Sequence, residues 1–168
     1  WKYDRSDTDL GTAWRQVGYD DSTWSSGSAL LYRESGSLPS PWVKNTEFNP
    51  YDNSLTTYYF RTHFNLNADP YDTNVNITLE GNVLIDDGAV IYLNGTEAER
   101  IGMPEGEITH STYASRVITD ATNETFSISP SLLVEGDNVL AVEVHQGAAT
   151  SSDIVFGLTL DANITTTT

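Results

Sequence analysis

The sequence predicts an all-β fold, an antiparallel sandwich or barrel, on three observations. Apolar residues recur at every second position in several short segments, which is the period of a half-buried strand. Turn dipeptides such as Asp87-Gly88 and Asn94-Gly95 separate these segments, and both tolerate the positive φ angles of tight hairpins. Helical periodicity is almost absent. Many short strands joined by regular turns are typical of such a fold.

The strand segments can be followed along the chain. In segment 58–66, apolar positions such as Tyr58 and Phe60 alternate with polar positions such as Arg61 and His63. The same alternation predicts further strands over 74–80, 89–93, 139–145 and 153–160. Nearer the start, segments 12–15 and 21–24 are each long enough for one helical turn. Segment 35–53 has three prolines and little alternation, so we expect an excursion loop there.

Length and composition indicate the number of domains and exclude some classes of partner. The chain has 168 residues, which suits one domain. Acidic residues outnumber basic ones by 24 to 8, giving a formal net charge of −16 that repels nucleic acid and anionic lipid. No apolar stretch approaches a membrane span. We therefore expect neither nucleic acid nor a membrane as a partner, and the lack of cysteine excludes disulfides and thiolate sites.

The domain boundaries follow from the strand pattern and the end of the chain. We expect residues 1–161 to form a single β-sandwich module. Residues 162–168 are rich in threonine, and we expect them to start a linker or tail. The chain begins at Trp1 without a signal peptide, so we expect a mature or excised part of a secreted, extracellular protein.

Several motifs resemble those of a known family. They are Tyr19-Asp20-Asp21-Ser22-Thr23-Trp24, Tyr59-Phe60-Arg61, the segment 86–95 with the sequence DDGAVIYLNG, the segment 136–146 with the sequence GDNVLAVEVHQ, and Ser151-Ser152-Asp153. Together, and in this order, they resemble galactose-binding-like domains of the carbohydrate-binding-module type. The segment 86–95 is also similar to the sugar-binding domain of family 2 glycoside hydrolases.

The resemblance carries implications for fold and function. It implies an antiparallel jelly-roll β-sandwich of about eight to ten strands. It also implies an accessory module appended to a secreted bacterial enzyme, so that a linked catalytic domain is an expected partner. Relatives often bind polysaccharide, many carry a structural calcium ion, and some serve only as spacers.

Candidate sugar-binding residues combine flat rings with planar polar groups. Aliphatic C–H groups of a sugar pack on aromatic rings, while its hydroxyls pair with polar side chains. The chain offers both kinds of group in loops and on the polar faces of strands: Tyr32, Arg33, Trp42, Tyr51, Tyr59, Arg61, His145 and Gln146. Structural roles compete with binding, because Trp42 could pin its loop and Arg61 could neutralise a carboxylate such as Glu143. Trp14 and Trp24 are expected to anchor the N-terminal segment as core residues.

A structural calcium ion is a further expectation from the resemblance. Related modules hold such an ion where an N-terminal loop meets the last strand, and Asp20, Asp21 and Asp161 lie in the corresponding setting. Calcium prefers six to eight oxygen ligands, including carboxylates. The resemblance concerns the region in which related modules hold the ion, and it does not match the individual ligands.

The sequence therefore predicts a non-catalytic carbohydrate-binding module that targets a linked secreted enzyme to a polysaccharide, preferably a neutral one. Two alternatives stay open: a structural spacer or protein-interaction sandwich with no glycan ligand, and a glycan hydrolase with an unrecognised site. The sequence contains no G-x-S-x-G, P-loop or H-E-x-x-H motif. Asp86 and Asp87 are interpreted as turn residues, since neighbours in a strand point to opposite faces and make a poor acid/base pair.

Overall fold

A computed structural model describes residues 1–50, 52 and 54–167, and these residues form a sandwich of two sheets. In chain order the strands are β1 (Lys2–Asp4), β2 (Ser25–Ser26), β3 (Leu31–Arg33), β4 (Thr46–Glu47), β5 (Thr57–Leu66), β6 (Val75–Asp86), β7 (Gly88–Leu93), β8 (Thr96–Ile101), β9 (Thr122–Ile128), β10 (Gly136–His145) and β11 (Ile154–Thr166). Two short 3-10 helices, Ala13–Arg15 and Pro130–Leu132, lie in connections.

The strand order confirms the predicted antiparallel β-sandwich. One sheet runs β2-β1-β5-β10-β7-β8, and the other runs β4-β3-β11-β6-β9. All of these neighbours pair antiparallel except β3 and β4, which are parallel. The part of the chain described contains no helix that is long and apolar enough to cross a membrane.

The main core lies between the two sheets. It contains the inward side chains that the alternation in β5, β6, β10 and β11 predicts, such as Tyr58, Leu79 and Val142. Phe60 of β5 stacks on Phe156 of β11 with ring centroids 4.2 Å apart, so aromatic packing joins the sheets directly. The long loop 35–53 also contributes, because Phe48 just after β4 is buried in this core.

The Asn94-Gly95 dipeptide forms the tight hairpin that the sequence predicts. It joins β7 to β8, and both residues have positive φ angles, of 52° and 86°. Such a turn matches the twist of the strands and favours asparagine followed by glycine. The Asn94 side chain also accepts a 2.9 Å hydrogen bond from the backbone N–H of Val139, which fixes the hairpin against β10.

The prediction of a hairpin at Asp87-Gly88 is wrong. Strand β6 pairs with β9 and β11, whereas β7 pairs with β8 and β10, so the dipeptide is a corner between the two sheets. A Cβ atom at Gly88 would lie 2.7 Å from the backbone oxygen of Gly102. Glycine is needed here for close backbone approach rather than for a hairpin turn. The corner places Asp86 and Asp87 at one end of the sandwich.

The last strand extends past residue 161, the expected end of the module. Strand β11 continues to Thr166 and pairs with the first half of β6, where Thr166 lies opposite Val75. The side chains at this end of β11 are exposed, so backbone pairing rather than burial extends the strand. Threonine is favourable in such a position because β-branched residues suit extended backbone.

A second, smaller core covers the outer face of the six-stranded sheet. Trp14 and Trp24 from the N-terminal segment pack on Tyr59 and Tyr92, and the side chains are buried. The Trp14 ring meets the Tyr59 ring edge-on, with centroids 4.8 Å apart. These contacts confirm that the two tryptophans anchor the N-terminal segment onto the sandwich.

Candidate functional site

Four of the sequence-predicted sugar-binding residues lie inside the molecule. Only 0–2% of each residue's surface is exposed at Tyr59, Arg61, His145 and Gln146. The sequence predicts a polar, accessible face for Tyr59 and Arg61, and this prediction is wrong because the N-terminal segment covers that face of β5. Burial and the nearby Glu143 carboxylate raise the pKa of the Tyr59 hydroxyl above its usual value, as expected for a phenol shielded from water.

Arg61 holds the N-terminal segment in place. Its guanidinium donates to Asp21 Oδ2 at 2.8 Å and to the Gln16 carbonyl at 3.0 Å, and it also donates to the Trp14 carbonyl. The carboxylate of Glu143 pairs with Arg15 instead, at 3.3 Å. The buried Arg61 therefore neutralises Asp21 and satisfies two backbone oxygens, and it presents no free donor surface to a glycan.

His145 and Gln146 end β10 beneath the loop that follows β8. The His145 ring lies with Nδ1 2.7 Å from the Thr112 carbonyl, and the Gln146 amide donates to the Asp153 carbonyl at 2.7 Å. These contacts tie β10 to neighbouring loops. The predicted accessibility of both residues is wrong, because sequence alternation does not reveal a loop that folds over the strand end.

Two of the sequence-predicted aromatic residues, Tyr32 and Trp42, lie on the outer face of the five-stranded sheet and are half-buried. Trp42 is half-buried and packs, together with Tyr32 and Leu38, on a buried cluster in which Leu84 and Val155 take part. The Trp42 indole lies directly over the sheet at Gly157, where a Cβ atom would come within 2.7 Å of the ring. Glycine at this position therefore makes room for the ring on the sheet surface.

Trp42 is the aromatic wall of an open pocket, which we call the Trp42 pocket. Its volume is about 260 Å³, and it is lined by Ala29, Leu30, Pro41, Trp42, Val43, Asn45 and Thr159. The indole N–H donates to the Asn123 side chain at 2.7 Å, which fixes the ring. Val43 is 65% exposed, so an apolar surface continues out of the pocket. The amide and hydroxyl groups of Asn45 and Thr159 stand beside it.

Tyr32 and Arg33 lie close by in β3, but their side chains already have partners. The Lys44 ammonium group lies 5.0 Å from the centroid of the Tyr32 ring, over one of its faces. Arg33 donates to Glu47 at 2.8 Å across a solvent-exposed ion pair. Arg33 also lines a polar cleft at the end of the sandwich. Tyr51, the remaining sequence-predicted residue, lies outside the described residues.

Three carboxylates converge beside this cleft, and we call them the carboxylate cluster: Glu34, Asp86 and Asp153. One carboxylate oxygen of each lies within 4.8 Å of those of the other two. Burial and the charges of Asp153 and Asp87 raise the pKa of Asp86 to about 8. Burial and the neighbouring Glu34 and Asp87 likewise raise the pKa of Asp153. The site therefore concentrates negative charge where water is scarce.

Asp87, next to the cluster in sequence, has a different role. Its side chain accepts from the backbone N–H of Ile118 at 2.7 Å and from that of Gly147 at 2.6 Å, while its carbonyl accepts from Arg116 at 2.8 Å. Asp87 thus binds two loops to the corner between β6 and β7. The contacts give Asp87 a structural role at a corner between the two sheets, rather than at the hairpin turn that the sequence predicts.

The predicted calcium ligands do not come together. Asp21 pairs with Arg61, Asp20 accepts from the Ser22 N–H at 3.0 Å, and Asp161 lies opposite Glu80 in the β6–β11 pairing. Within the described ranges, the carboxylate cluster is the group of three ligand-type side chains close enough to hold one ion. The prediction of a shared site for Asp20, Asp21 and Asp161 is therefore wrong.

The sequence does contain a signal for the carboxylate cluster. Glu34 directly follows β3, Asp86 ends β6, and Asp153 directly precedes β11. Each acid therefore stands at a strand end. Their convergence depends on the sheet order, which places β11 between β3 and β6. Sequence alone does not give this order.

Comparison with known proteins finds similarity in structure only. No family model matches the chain, and no curated protein sequence matches it. Similar solved structures include a β-glucuronidase from glycoside hydrolase family 2, with TM-score 0.47 and 18% identity over 86% of this chain. A family 2 glycosyl hydrolase member from Bacteroides cellulosilyticus DSM 14838 has TM-score 0.47 and 19% identity over 95% of the chain.

A β-glycosidase from Bacteroides vulgatus is similar to the same extent, with TM-score 0.47 and 16% identity over 95% of the chain. The chain corresponds to only 13% of the length of the β-glucuronidase and to 19% of each Bacteroides protein. It is thus similar to a small part of each of these proteins.

Proposed function

We propose that this chain is a non-catalytic carbohydrate-binding module and that the Trp42 pocket is its glycan-binding site. The observation that carries the proposal is a half-buried indole, fixed over a sheet surface, that forms one wall of an open pocket. A ring held in this way contacts a sugar without losing further rotational freedom, which lowers the entropy cost of binding. Pockets for small ligands commonly combine apolar walls with a few polar groups.

The lining of the pocket suits a sugar ring. Pro41 and Val43 extend the apolar surface beside the indole, while Asn45 and Thr159 supply hydrogen-bonding groups. The Asn45 side chain donates to the Ala29 carbonyl at 2.6 Å, which leaves its carbonyl oxygen to accept from a hydroxyl. With one aromatic wall, the affinity at a single site is modest, and attachment to a larger protein would raise it through avidity.

The charge of the chain favours neutral glycans. Its net charge of −16 opposes the approach of polyanions. Within the pocket lining, Ala29, Leu30, Pro41, Trp42, Val43, Asn45 and Thr159 contain no charged side chain. We therefore propose a neutral polysaccharide as the ligand, and a linked secreted enzyme as the protein that the module targets to it. The sequence resemblance to carbohydrate-binding modules supports this second part.

Affinity gel electrophoresis tests the proposal. The purified chain is run through native gels that contain neutral or acidic polysaccharides, and retardation by at least one neutral glycan is expected. Trp42→Ala should abolish the retardation. Tyr71→Ala is the matched control, because Tyr71 is also an exposed aromatic residue but lies outside the pocket. Val43→Asp blocks the pocket from its exposed rim without removing the indole, and it should also abolish retardation.

Two outcomes contradict the proposal. One is a chain that no glycan retards, which favours a spacer or protein-interaction role. The other is a retarded chain whose mobility shift is unchanged in both Trp42→Ala and Val43→Asp, which places the glycan elsewhere.

The hydrolase alternative has one observation in its favour, the carboxylate cluster with its raised pKa values. A general acid must reach the glycosidic oxygen, yet Asp86 is only 1% exposed. Glu34 and Asp153 do line a cleft of about 270 Å³. Release of reducing sugar from the glycans that bind, lost in Asp153→Asn, would establish catalysis. No release under the same conditions supports the binding role.

A further inference from the structure

The carboxylate cluster is created by the register of the five-stranded sheet. In the antiparallel pairings, Ile154 lies opposite Arg33 and Val155 lies opposite Asp86. Continuing the first pairing by one residue brings Asp153 beside Glu34. Three consecutive neighbours in the sheet, β3, β11 and β6, thus each deliver one carboxylate to the same end of the sandwich.

Asp86 is the member of the cluster that most needs a partner. Its surface is 1% exposed, and its Oδ2 atom is buried without a hydrogen-bond partner among the described residues. One oxygen of the same carboxylate belongs to the group whose members lie within 4.8 Å of one another. The ion pairs formed by the described residues include none with Asp86. A buried carboxylate in this state is costly unless a cation or proton compensates it.

We propose that Glu34, Asp86 and Asp153 bind one calcium ion at this end of the sandwich. The ion would take an oxygen from each of three strands and would remove the repulsion among the three negative groups. It would also give the orphaned Asp86 oxygen a partner that no side chain provides. This site is separate from the Trp42 pocket, so the proposal does not depend on glycan binding.

The chemistry of the ligands selects the ion. All three are carboxylate oxygens, which suit hard cations, whereas zinc and copper favour nitrogen or sulfur. Oxygens bound to one calcium lie about 2.3–2.6 Å from it, so two on opposite sides are separated by about 5 Å. The 4.8 Å limit on the cluster falls within that separation. Magnesium demands near-ideal octahedral geometry and usually keeps several water molecules, so a site with three carboxylates suits calcium better.

The neighbouring cleft can complete the coordination. Calcium takes about six to eight ligands, and three carboxylates supply only part of that number. The cleft is lined by Ser35 and Ser152 as well as by Glu34 and Asp153, and it is open to solvent water. Hydroxyl groups and water molecules on this side are the remaining oxygen ligands that the site offers.

Isothermal titration calorimetry of the chelator-treated full chain tests the site. With calcium chloride as the titrant, we expect one saturable site per chain, and an increase of several degrees in Tm when it is filled. Asp86→Asn and Glu34→Gln should each weaken binding at least tenfold. Both variants keep the shape of the side chain and reduce negative repulsion, so the chain should fold. Magnesium chloride should bind at least tenfold more weakly than calcium chloride.

Two controls make the result specific. Glu80→Gln removes a carboxylate from an exposed position of the same strand, β6, and should leave calcium binding unchanged. Asp161→Asn probes the location predicted from the sequence and should also have no effect. The proposal is overturned if the wild-type chain binds no calcium at millimolar concentration, or if Asp86→Asn binds it as tightly as wild type. Stronger weakening by Asp161→Asn than by Asp86→Asn would likewise overturn it.

Discussion

Replacing Arg61 with methionine tests whether this residue has a structural role or contacts a ligand. Methionine keeps much of the buried volume but removes three donated hydrogen bonds, to Asp21 and to the carbonyls of Trp14 and Gln16. Breaking a fully buried ion pair from one side costs about 3–5 kcal/mol. The Asp21 side chain is 17% exposed and can recover some hydration, so we expect a loss of about 3 kcal/mol.

Chemical and thermal unfolding measure this loss. For a domain of this size, 1 kcal/mol corresponds to about 2–4 °C, so Arg61→Met should lower Tm by roughly 6–12 °C. Arg33→Met is the matched control, since its ion pair with Glu47 is 46% exposed on both sides. Such a pair contributes about 0–1 kcal/mol.

The reasoning is refuted if Arg61→Met destabilises the chain no more than Arg33→Met does. It is also refuted if Arg61→Met leaves unfolding unchanged but removes glycan retardation in native gels. That second result would return Arg61 to the role that the sequence predicts for it.

Three further predictions follow from individual contacts. Gly157→Ala forces the Trp42 ring off the sheet, so it should lower the free energy of unfolding, measured with urea, by about 1–3 kcal/mol. It should also weaken glycan retardation. An unchanged free energy of unfolding would contradict the packing described. Asp87→Ala leaves two loop amides without their acceptor and should destabilise the chain by about 3 kcal/mol, with faster proteolysis of those loops; equal protease resistance would contradict this. In the absence of metal, the raised pKa of Asp86 means that the folded state holds a proton more tightly than the unfolded state. The contribution of this group to the free energy of unfolding should therefore be greatest below about pH 4 and should decline as pH rises towards 8. In Asp86→Asn, urea unfolding measured at each pH should show a smaller decline.

Both outer faces of this sandwich are partly covered by other segments of the chain. The N-terminal segment closes the outer face of the six-stranded sheet through Trp14 and Trp24. On the other sheet, the loop after β3 returns with Trp42 and covers Leu84 and Val155. The Trp42 pocket remains open on this outer face, and the cleft beside the carboxylate cluster lies at the end of the sandwich. The two sites are distinct, which allows glycan binding and cation binding to be tested separately.

The sequence by itself determined the all-β fold class and several of its local details. Alternation with a period of two requires one buried and one outer face, so segments such as 58–66 and 139–145 had to be strands of a layered β fold. The Asn94-Gly95 hairpin could also be predicted, because few other dipeptides adopt two consecutive positive φ angles. These features depend on local backbone geometry and on the spacing of apolar side chains. Residues that are close together in the sequence determine both.

Only the tertiary structure decided which other segments of the chain contact the polar face of each strand. Tyr59 and Arg61 have the alternation of surface residues, yet a segment more than 35 residues earlier in the chain buries them. Glu34, Asp86 and Asp153 are far apart in sequence and meet because β11 lies between β3 and β6. A strand's pattern specifies that one face turns inward, but strand order and the paths of the loops arise from the packing of the whole chain. Those long-range contacts determine which polar residues are buried and which carboxylates converge.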